Sequence, residues 1–449
     1  MLPVIRSKSK TQGMLMKMRV SLAAGVFLGC LSMSTTCLAE TLLDVVNKSL
    51  KTNPQVLASL NRYRAQVENV DAVWGTYLPS VDITTGVGRQ KRHYDENPNN
   101  DKIFTREEAF LSVKQNLFSG FNTQNNVDKA RHQADAEFFR LKNTLQDVSL
   151  KIIDAYIKVL QQRDMVDLAV ENLRLHDDTY QQIEQRTRQG VARKSDLTQV
   201  EGRRARANAN VINSRNNLVD AESEFLALVG SMPTELEQPG SWKLKMPASL
   251  EIALQNAIDS HPDALASAYQ IKSSQSEYES LKSSFFPKVD IELDQNWKKN
   301  ADGQIGPARD ATAMLKLKYN LFRGGSDKAR LDESAYRAEE SRAQRDRVLR
   351  KLEETLRIAW AAYEYIQQEQ EFLRLHEASS RESVEAYREQ FNIGKRTLLD
   401  LLDSENELFQ SSRNLTSAIY QEAFVRYRVL AATGELLTAL GIEMADSWE

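Results

Sequence analysis

Two stretches of this chain contain neither proline nor glycine for the length of an ordinary small domain. Sixty-nine residues separate Gly120 from Gly190, and 68 separate Gly325 from Gly394. Proline stops helices and glycine weakens them, so their joint absence allows an unbroken helix. A helix of that length runs about 100 Å at about 1.5 Å per residue. Globular helices end far sooner, so the spacing predicts rods rather than a compact fold. Charge-rich runs such as SRAQRDRVLRKLEETLRIAW (341–360) suit solvated rods. Leu401, Leu408 and Leu415 recur at seven-residue spacing, as do Leu218 with Phe225 and Ala221 with Leu228. That spacing predicts side-by-side packing of coiled-coil type. Second helices are expected after the glycines, over about 195–229 and about 396–440, so that Gly190 and Gly394 mark the turns of two antiparallel helical hairpins.

The rods belong to a larger duplication. TNPQVLAS (52–59) answers SHPDALAS (260–267), and YLPSVDI (77–83) answers FFPKVDI (285–291). LSVKQNLFSG (111–120) answers LKLKYNLFRG (315–324), and LRLH occurs at 173–176 and 373–376. An ordered series at a near-constant offset is the mark of an internal repeat. The expected organisation is a leader over 1–39, a first repeat over 40–230 and a second over 249–441. The proline- and glycine-bearing segment 231–248 joins the repeats, and 442–449 forms a tail.

Lys17 and Arg19 precede the apolar stretch VSLAAGVFLGCLS, and small residues stand before Ala39. This predicts an export signal cut after Ala39. FLGC at 27–30 is a poor lipoprotein site, because Phe27 and Leu28 are bulky. The start is open among Met1, Met14, Met16 and Met18. Both cysteines, Cys30 and Cys37, fall in the leader, so the mature chain has no disulfide, thiol nucleophile or thiolate metal site. Removing the leader takes five of the 59 basic residues and none of the 62 acidic ones, leaving −8. Nucleic-acid binding usually leaves a basic footprint, and this balance does not support it.

After the leader no run of 18 apolar residues occurs, so no membrane helix is expected. Alternation is the remaining route into a membrane. Pro79 and Pro287 each end a first helix, predicted as one element over TLLDVVNKSLKTNPQVLASLNRYRAQVENVDAVW and again over about 249–284. Past Pro287, Val289, Ile291, Leu293 and Trp297 share one face, and Asp290, Glu292, Asp294 and Asn296 the other. Further on, Ala313, Leu315, Leu317, Tyr319 and Leu321 oppose Lys316, Lys318 and Asn320. In the first repeat Val81, Ile83 and Val87 oppose Asp82 and Thr84, and Leu111 and Val113 oppose Ser112 and Lys114. Four strands of about ten residues fit crossings between lipid and a wet lumen. A soluble sheet with one wet face would show the same pattern. The polar connectors 89–107 and 298–310 read as surface loops. Four strands cannot close a barrel, and an open edge in lipid is prohibitive. Strands must therefore be pooled between copies, eight from two chains or twelve from three.

At this point the chain resembles the TolC family of outer-membrane channel proteins. The residues that carry the likeness are the Pro54 and Pro262 helix openings, the Pro79 and Pro287 strand starts, the turns NLFSGF (116–121) and NLFRGG (320–325), and above all FNIGKRTLLDLLDSENEL (391–408). The likeness covers nearly all of 40–441. It implies a mainly α chain with a membrane β portion, assembled as a homotrimer. A twelve-stranded barrel in the outer membrane would continue into a long helical barrel in the periplasm. Gly120, Gly324 and Gly325 would be strand-to-helix junctions, where glycine permits a sharp turn.

Asp400 and Asp403 lie three apart and share a helix face. The likeness makes them an aspartate ring at the periplasmic entrance, where crowded carboxylates raise one another's pKa and attract cations. Acids at a helix start are also ordinary. By the same likeness Arg396 helps hold the entrance shut, and Ser195 and Asp196 match its partners. Phe391 stands where many members carry a tyrosine, so one tether is missing. The implied partners are a periplasmic adaptor and an inner-membrane transporter of the ATP-binding cassette type. GKRTLLDLLD and the unlipidated start lean towards type I protein secretion over small-molecule efflux. A coiled-coil scaffold without a pore explains the rods but not the four strands. No cofactor, resident metal or catalytic residue is expected. The chain has no GxxxxGK[ST], HExxH or GxSxG motif, and its five histidines, His93, His132, His176, His261 and His376, are scattered.

Overall fold

A computed structural model describes residues 40–92, 102–238, 240, 244–302 and 305–442. The leader expected over 1–39 and most of the tail lie outside the described residues. The elements run α1 (Leu42–Thr52), α2 (Pro54–Trp74), β1 (Ser80–Arg92), β2 (Lys102–Phe118), α3 (Asn122–Arg188) and α4 (Lys194–Val229). The same order then recurs as α5 (Leu250–Ser260), α6 (Pro262–Leu281), β3 (Lys288–Lys299), β4 (Pro307–Lys318), α7 (Ser326–Asn392) and α8 (Leu398–Thr433), with a short α9 (Leu436–Ala439). The rods α3 and α7 are each 67 residues long.

The long first helix expected in each repeat is two helices. Asn53 is extended, and its Oδ1 accepts from Gln55 N at 2.9 Å and Val56 N at 3.4 Å. Pro54 follows at the first helical position, where its missing N–H costs nothing. In the second repeat His261 takes the cap, its Nδ1 accepting from Asp263 N at 3.1 Å. Burial pushes the His261 imidazole down to about 4, which keeps that nitrogen an acceptor at neutral pH. The last helix expected to reach 440 stops at Thr433. Gly434 has φ +83°, and a Cβ there would stand 2.8 Å from His261 Cα. The α8 end is thereby wedged against the α5–α6 joint.

The strands form one antiparallel sheet in the order β1-β2-β3-β4. β2 and β3 are the join between the repeats, with Val113 opposite Leu293 and Ser112 opposite Asp294. A register shift at Asn116/Phe118 ends the ladder beside the turn into α3. The strands are 12 to 17 residues long, beyond the expected ten, because parts of both polar connectors are strand. β4 ends at Lys318, so Tyr319 and Leu321 lie past it. β1 and β4 are left as open edges.

The main core sits midway along the rods, where α1, α2, α3, α4 and α8 bury Leu50, Leu145, Ile152, Tyr156, Phe225 and Leu430. The inter-repeat segment is laid on it. Glu40 pairs in parallel with Leu236, with Glu40 N donating to Glu235 O at 2.9 Å. The Tyr156 hydroxyl lies 2.9 Å from Glu40 O and 2.6 Å from Glu237 O. The start of the described chain and the connection between repeats therefore share one buried anchor.

Candidate functional site

The two helical hairpins turn side by side at one end of the rods. After α3, Gly190 takes φ +78°, and Val191 N reaches back to Arg186 O at 2.8 Å. After α7, Gly394 takes φ +76°, and Lys395 N reaches Gln390 O at 2.8 Å. Both are left-handed helix ends that favour glycine. Each following helix opens on an acid at its third position. Asp196 Oδ2 accepts from Arg193 N at 3.3 Å, and Asp400 Oδ2 accepts from Thr397 Oγ1 at 2.8 Å and Thr397 N at 3.3 Å. The Thr397 hydroxyl and backbone bonds hold the Asp400 carboxyl below its usual value. Within one chain its shift is thus opposite to the one expected from a crowded ring, and its first role is to cap α8.

The other expected residues fall around this cap. Asp403, one turn on, accepts from Arg203 Nη2 of α4 at 2.7 Å, a contact between repeats that no local pattern announced. Arg396 does not meet Ser195 or Asp196 of its own chain. Its Nε donates to Gln390 at 2.9 Å and its guanidinium lies 4.1 Å from the Tyr387 ring centre. Ser195 Oγ lies 3.4 Å from Asp196 Oδ1. Phe391 is a core residue, packed with Ile183, Val200, Leu398, Leu401 and Leu402. The Arg186 guanidinium covers its ring at 5.0 Å. The hairpins are joined here by an apolar plug and a cation–π contact, where a tyrosine would have offered a hydroxyl.

One buried group was missed by sequence reasoning altogether. Glu405 of α8 has a fully buried side chain, with Arg388 of α7 donating to its Oε1 at 3.0 Å. His176 of α3, also buried, places Nδ1 at 3.5 Å from Glu405 Oε2. The LRLH repeat flagged His176, but only helix register could reveal its acidic neighbour. Its repeat mate His376 is exposed and meets Glu407 at 2.9 Å.

At the opposite end, the sheet exposes its apolar face. Ile83 is 70% exposed, Val87 79%, and Leu315 and Leu317 69% each. The other face is laced by polar pairs, with Ser112 Oγ donating to Asp294 at 2.6 Å and Lys114 3.1 Å from Glu292. An outward apolar face over a satisfied polar one is the division a membrane barrel requires. Exposed Trp74, Tyr77, Phe121, Phe285, Phe286 and Phe322 crowd the junctions between sheet and helices. Aromatic girdles mark membrane interfaces in such barrels. β1 begins at Ser80 and β3 at Lys288, directly after Pro79 and Pro287. Gly120, Gly324 and Gly325 all have positive φ, and at Gly120 a Cβ would stand 2.7 Å from Phe286 Cβ of the other repeat.

Among the described residues no helix is long and apolar enough to cross a membrane, and no group of three or more His, Cys, Asp or Glu could hold a metal.

Comparison with known proteins agrees with this geometry. The sequence profile of the family "Outer membrane efflux protein" matches residues 45–231 and 253–435. The chain is similar to the outer membrane efflux protein BepC of Brucella suis, at 26% identity over 94% of this chain and 92% of that one. It is 23% identical to the alkaline protease secretion protein AprF of Pseudomonas aeruginosa, over 87% of this chain and 84% of that one. Among solved structures, a membrane protein from Pseudomonas aeruginosa superposes with a TM-score of 0.79 at 18% identity, over 88% of this chain and 92% of the other. The chain belongs to the outer membrane efflux protein family, the TolC family, and is an outer-membrane channel rather than an enzyme.

Proposed function

We propose that three copies of this chain form the exit duct of a type I protein-secretion system. An adaptor in the periplasm and an ATP-binding cassette transporter in the inner membrane would complete it. The observation that carries the reading is a pair of unpartnered seams. On α7, Ile358, Tyr365 and Phe372 are exposed at seven-residue spacing, and on α4 Ile212, Val219 and Leu226 are exposed at the same spacing. Counted inward from the tip ends Asn392 and Lys194, the first set lies 34, 27 and 20 residues in, and the second 32, 25 and 18, counted from Leu226 to Ile212. The seams match rung for rung, as antiparallel helices from neighbouring copies would. The open edges β1 and β4 ask for the same head-to-tail neighbour, since unpaired strand edges are not tolerated in lipid. Three copies supply twelve strands, an even number that closes antiparallel.

The tip fits a closed entrance that an adaptor opens. Val191 and Ile393 stand exposed on the two turns and offer an apolar foothold. Arg396 would exchange its contacts with Gln390 and Tyr387 for Ser195 and Asp196 of a neighbouring copy, and Asp400 with Asp403 would ring the axis. Protein secretion is favoured by GKRTLLDLLD, by the poor fit of FLGC (27–30) to a lipoprotein site and by the similarity to a secretion protein. Small-molecule efflux is the second reading, favoured by the similarity to BepC. A strain lacking this chain distinguishes them: loss of one secreted protein at unchanged drug susceptibility supports secretion, and drug accumulation with normal secretion supports efflux. Arg396→Ala tests the gate, with raised conductance and inward leak of antibiotics expected from correctly assembled protein. Extraction by salt or urea without detergent would point instead to a scaffold with no pore.

A further inference from the structure

The seam between the hairpins is built in layers. At the tip lies the apolar plug around Phe391 and Leu402. Farther from the tip, Ala169, Val211 and Phe409 form a second apolar layer. Between them sits the polar layer of His176, Glu405 and Arg388. Both His176 Nδ1 and Glu405 Oε2 are buried without a hydrogen-bond partner, though they face each other across 3.5 Å. The Thr179 hydroxyl, one turn along, donates to Leu175 O at 3.0 Å and also faces Glu405, where it favours the carboxylate. Buried polar atoms are nearly always paired, and a half-satisfied buried ion costs more than an apolar replacement. The exception stands on the α3–α8 seam, which must loosen if the α7/α8 hairpin is to move away from α3/α4.

We propose that His176 and Glu405 form a proton-operated clasp, which fastens α3 to α8 when the pair gains one proton and slackens when it loses it. The inference rests on the reading of the tip as an opening entrance. A neutral imidazole carries its single proton on either nitrogen and need not face the carboxylate. An imidazolium carries both and donates to Glu405 Oε2 in a charge-assisted bond, the stronger class of hydrogen bond.

The surroundings bias the pair without satisfying it. From α7, Arg388 holds the far carboxylate oxygen, and from α4 Arg203 opposes a charge on His176 while tied to Asp403 of α8. From α3, Asp177 favours the imidazolium and Asp178 opposes the carboxylate. Burial lowers the proton affinity of His176 from its usual 6.5 and raises that of Glu405 from its usual 4.5. Burial thus weakens His176 as a base and strengthens Glu405, so a proton added to the pair is shared across their 3.5 Å contact rather than held by the imidazole alone. Acidification fastens the clasp.

Full-length wild-type protein, Glu405→Gln, His176→Gln and the double variant, reconstituted in planar lipid bilayers, test this. Open fraction is the readout. Wild type is expected to open less by about fivefold, the low end of ordinary coupling, between about pH 7.5 and about pH 5.5. Each single variant should lose the same part of that dependence, and the double no more, because the proton belongs to the pair. His376→Gln removes the exposed mate and should leave the dependence intact. Singles that keep the wild-type dependence, or losses that add in the double, overturn the clasp. Absence of any conductance from wild type overturns the channel reading instead. Should Glu405→Gln fail to assemble, the wild-type histidine ring signals decide, with His176 identified by its absence from His176→Gln. A His176 signal that titrates over the pH interval in which the open fraction falls supports the clasp, and one that keeps a single state throughout that interval refutes it.

Discussion

Arg203 of the first repeat donates to Asp403 of the second across 2.7 Å, with Asp403 itself more than half exposed. The tip is thus tied by two residues that are 200 positions apart in the chain. An exposed pair of this kind is worth at most about 1 kcal/mol. Arg203→Met should therefore leave folding intact and raise the open fraction modestly. Single-channel recording at low and high salt checks it, since screening should erase the difference between wild type and variant.

The carboxylates proposed to ring the entrance make a second expectation. Asp400 is held below the usual carboxylate value by Thr397, so it stays ionised through mild acid. A lowered folded value adds stability that is present above the unfolded value of 3.8 and lost as pH falls through the folded one. Cation block at the tip should thus persist at mildly acid pH. Asp400→Asn with Asp403→Asn should weaken block by a trivalent cation several-fold, measured as half-blocking concentration.

Gly120 and Gly324 hold matched junctions with nearly equal φ, +65° and +63°. Their surroundings differ, because a Cβ at Gly120 meets Phe286 and Ser283 while one at Gly324 meets nothing within 4 Å. Alanine at either site is strained by the positive φ, at a cost above about 1 kcal/mol. Gly120→Ala should cost clearly more than Gly324→Ala. Denaturant unfolding of the assembled protein ranks the two.

If α7 and α4 of neighbouring copies share a seam, a charge within it should split the assembly. Phe372→Glu is expected to give monomers in mild detergent by mass measurement. Ile212→Glu should do the same, and Phe372→Glu combined with Ile212→Lys should restore assembly. Unaltered mass for both single variants would remove the seam.

The Tyr156 hydroxyl serves two carbonyls, Glu40 O and Glu237 O. Burial keeps the phenol protonated far above neutral pH. Tyr156→Phe should lower stability by about 1–2 kcal/mol, since a bond of this kind contributes about 1 kcal/mol net. Thermal unfolding reads the loss, and conductance should be unchanged.

The rods α3 and α7 were legible because missing breakers are visible residue by residue. The strands were legible because alternation survives in β3, where Asp290, Glu292 and Asp294 punctuate Val289, Ile291 and Leu293. The break at Asn53 was hidden by Pro54, which opens a helix as readily as it stops one. The partners of Asp403 and His176 were illegible for a different reason. Each lies on another helix some two hundred residues away, and only the rotation of one rod against the next brings it into reach. The side chain of Arg396 turned to Tyr387 and Gln390 of its own hairpin, a choice of rotamer that spacing does not encode.

The stitching of β2 to β3 leaves each chain with one free border from each repeat, β1 and β4. A copy damaged at one border still offers the sound one to a healthy neighbour. Such a copy would be recruited into the ring and then stall it. Lesions along β1 or β4 would poison wild-type subunits in a mixed cell in proportion to their dosage, whereas lesions that prevent folding would be silently recessive.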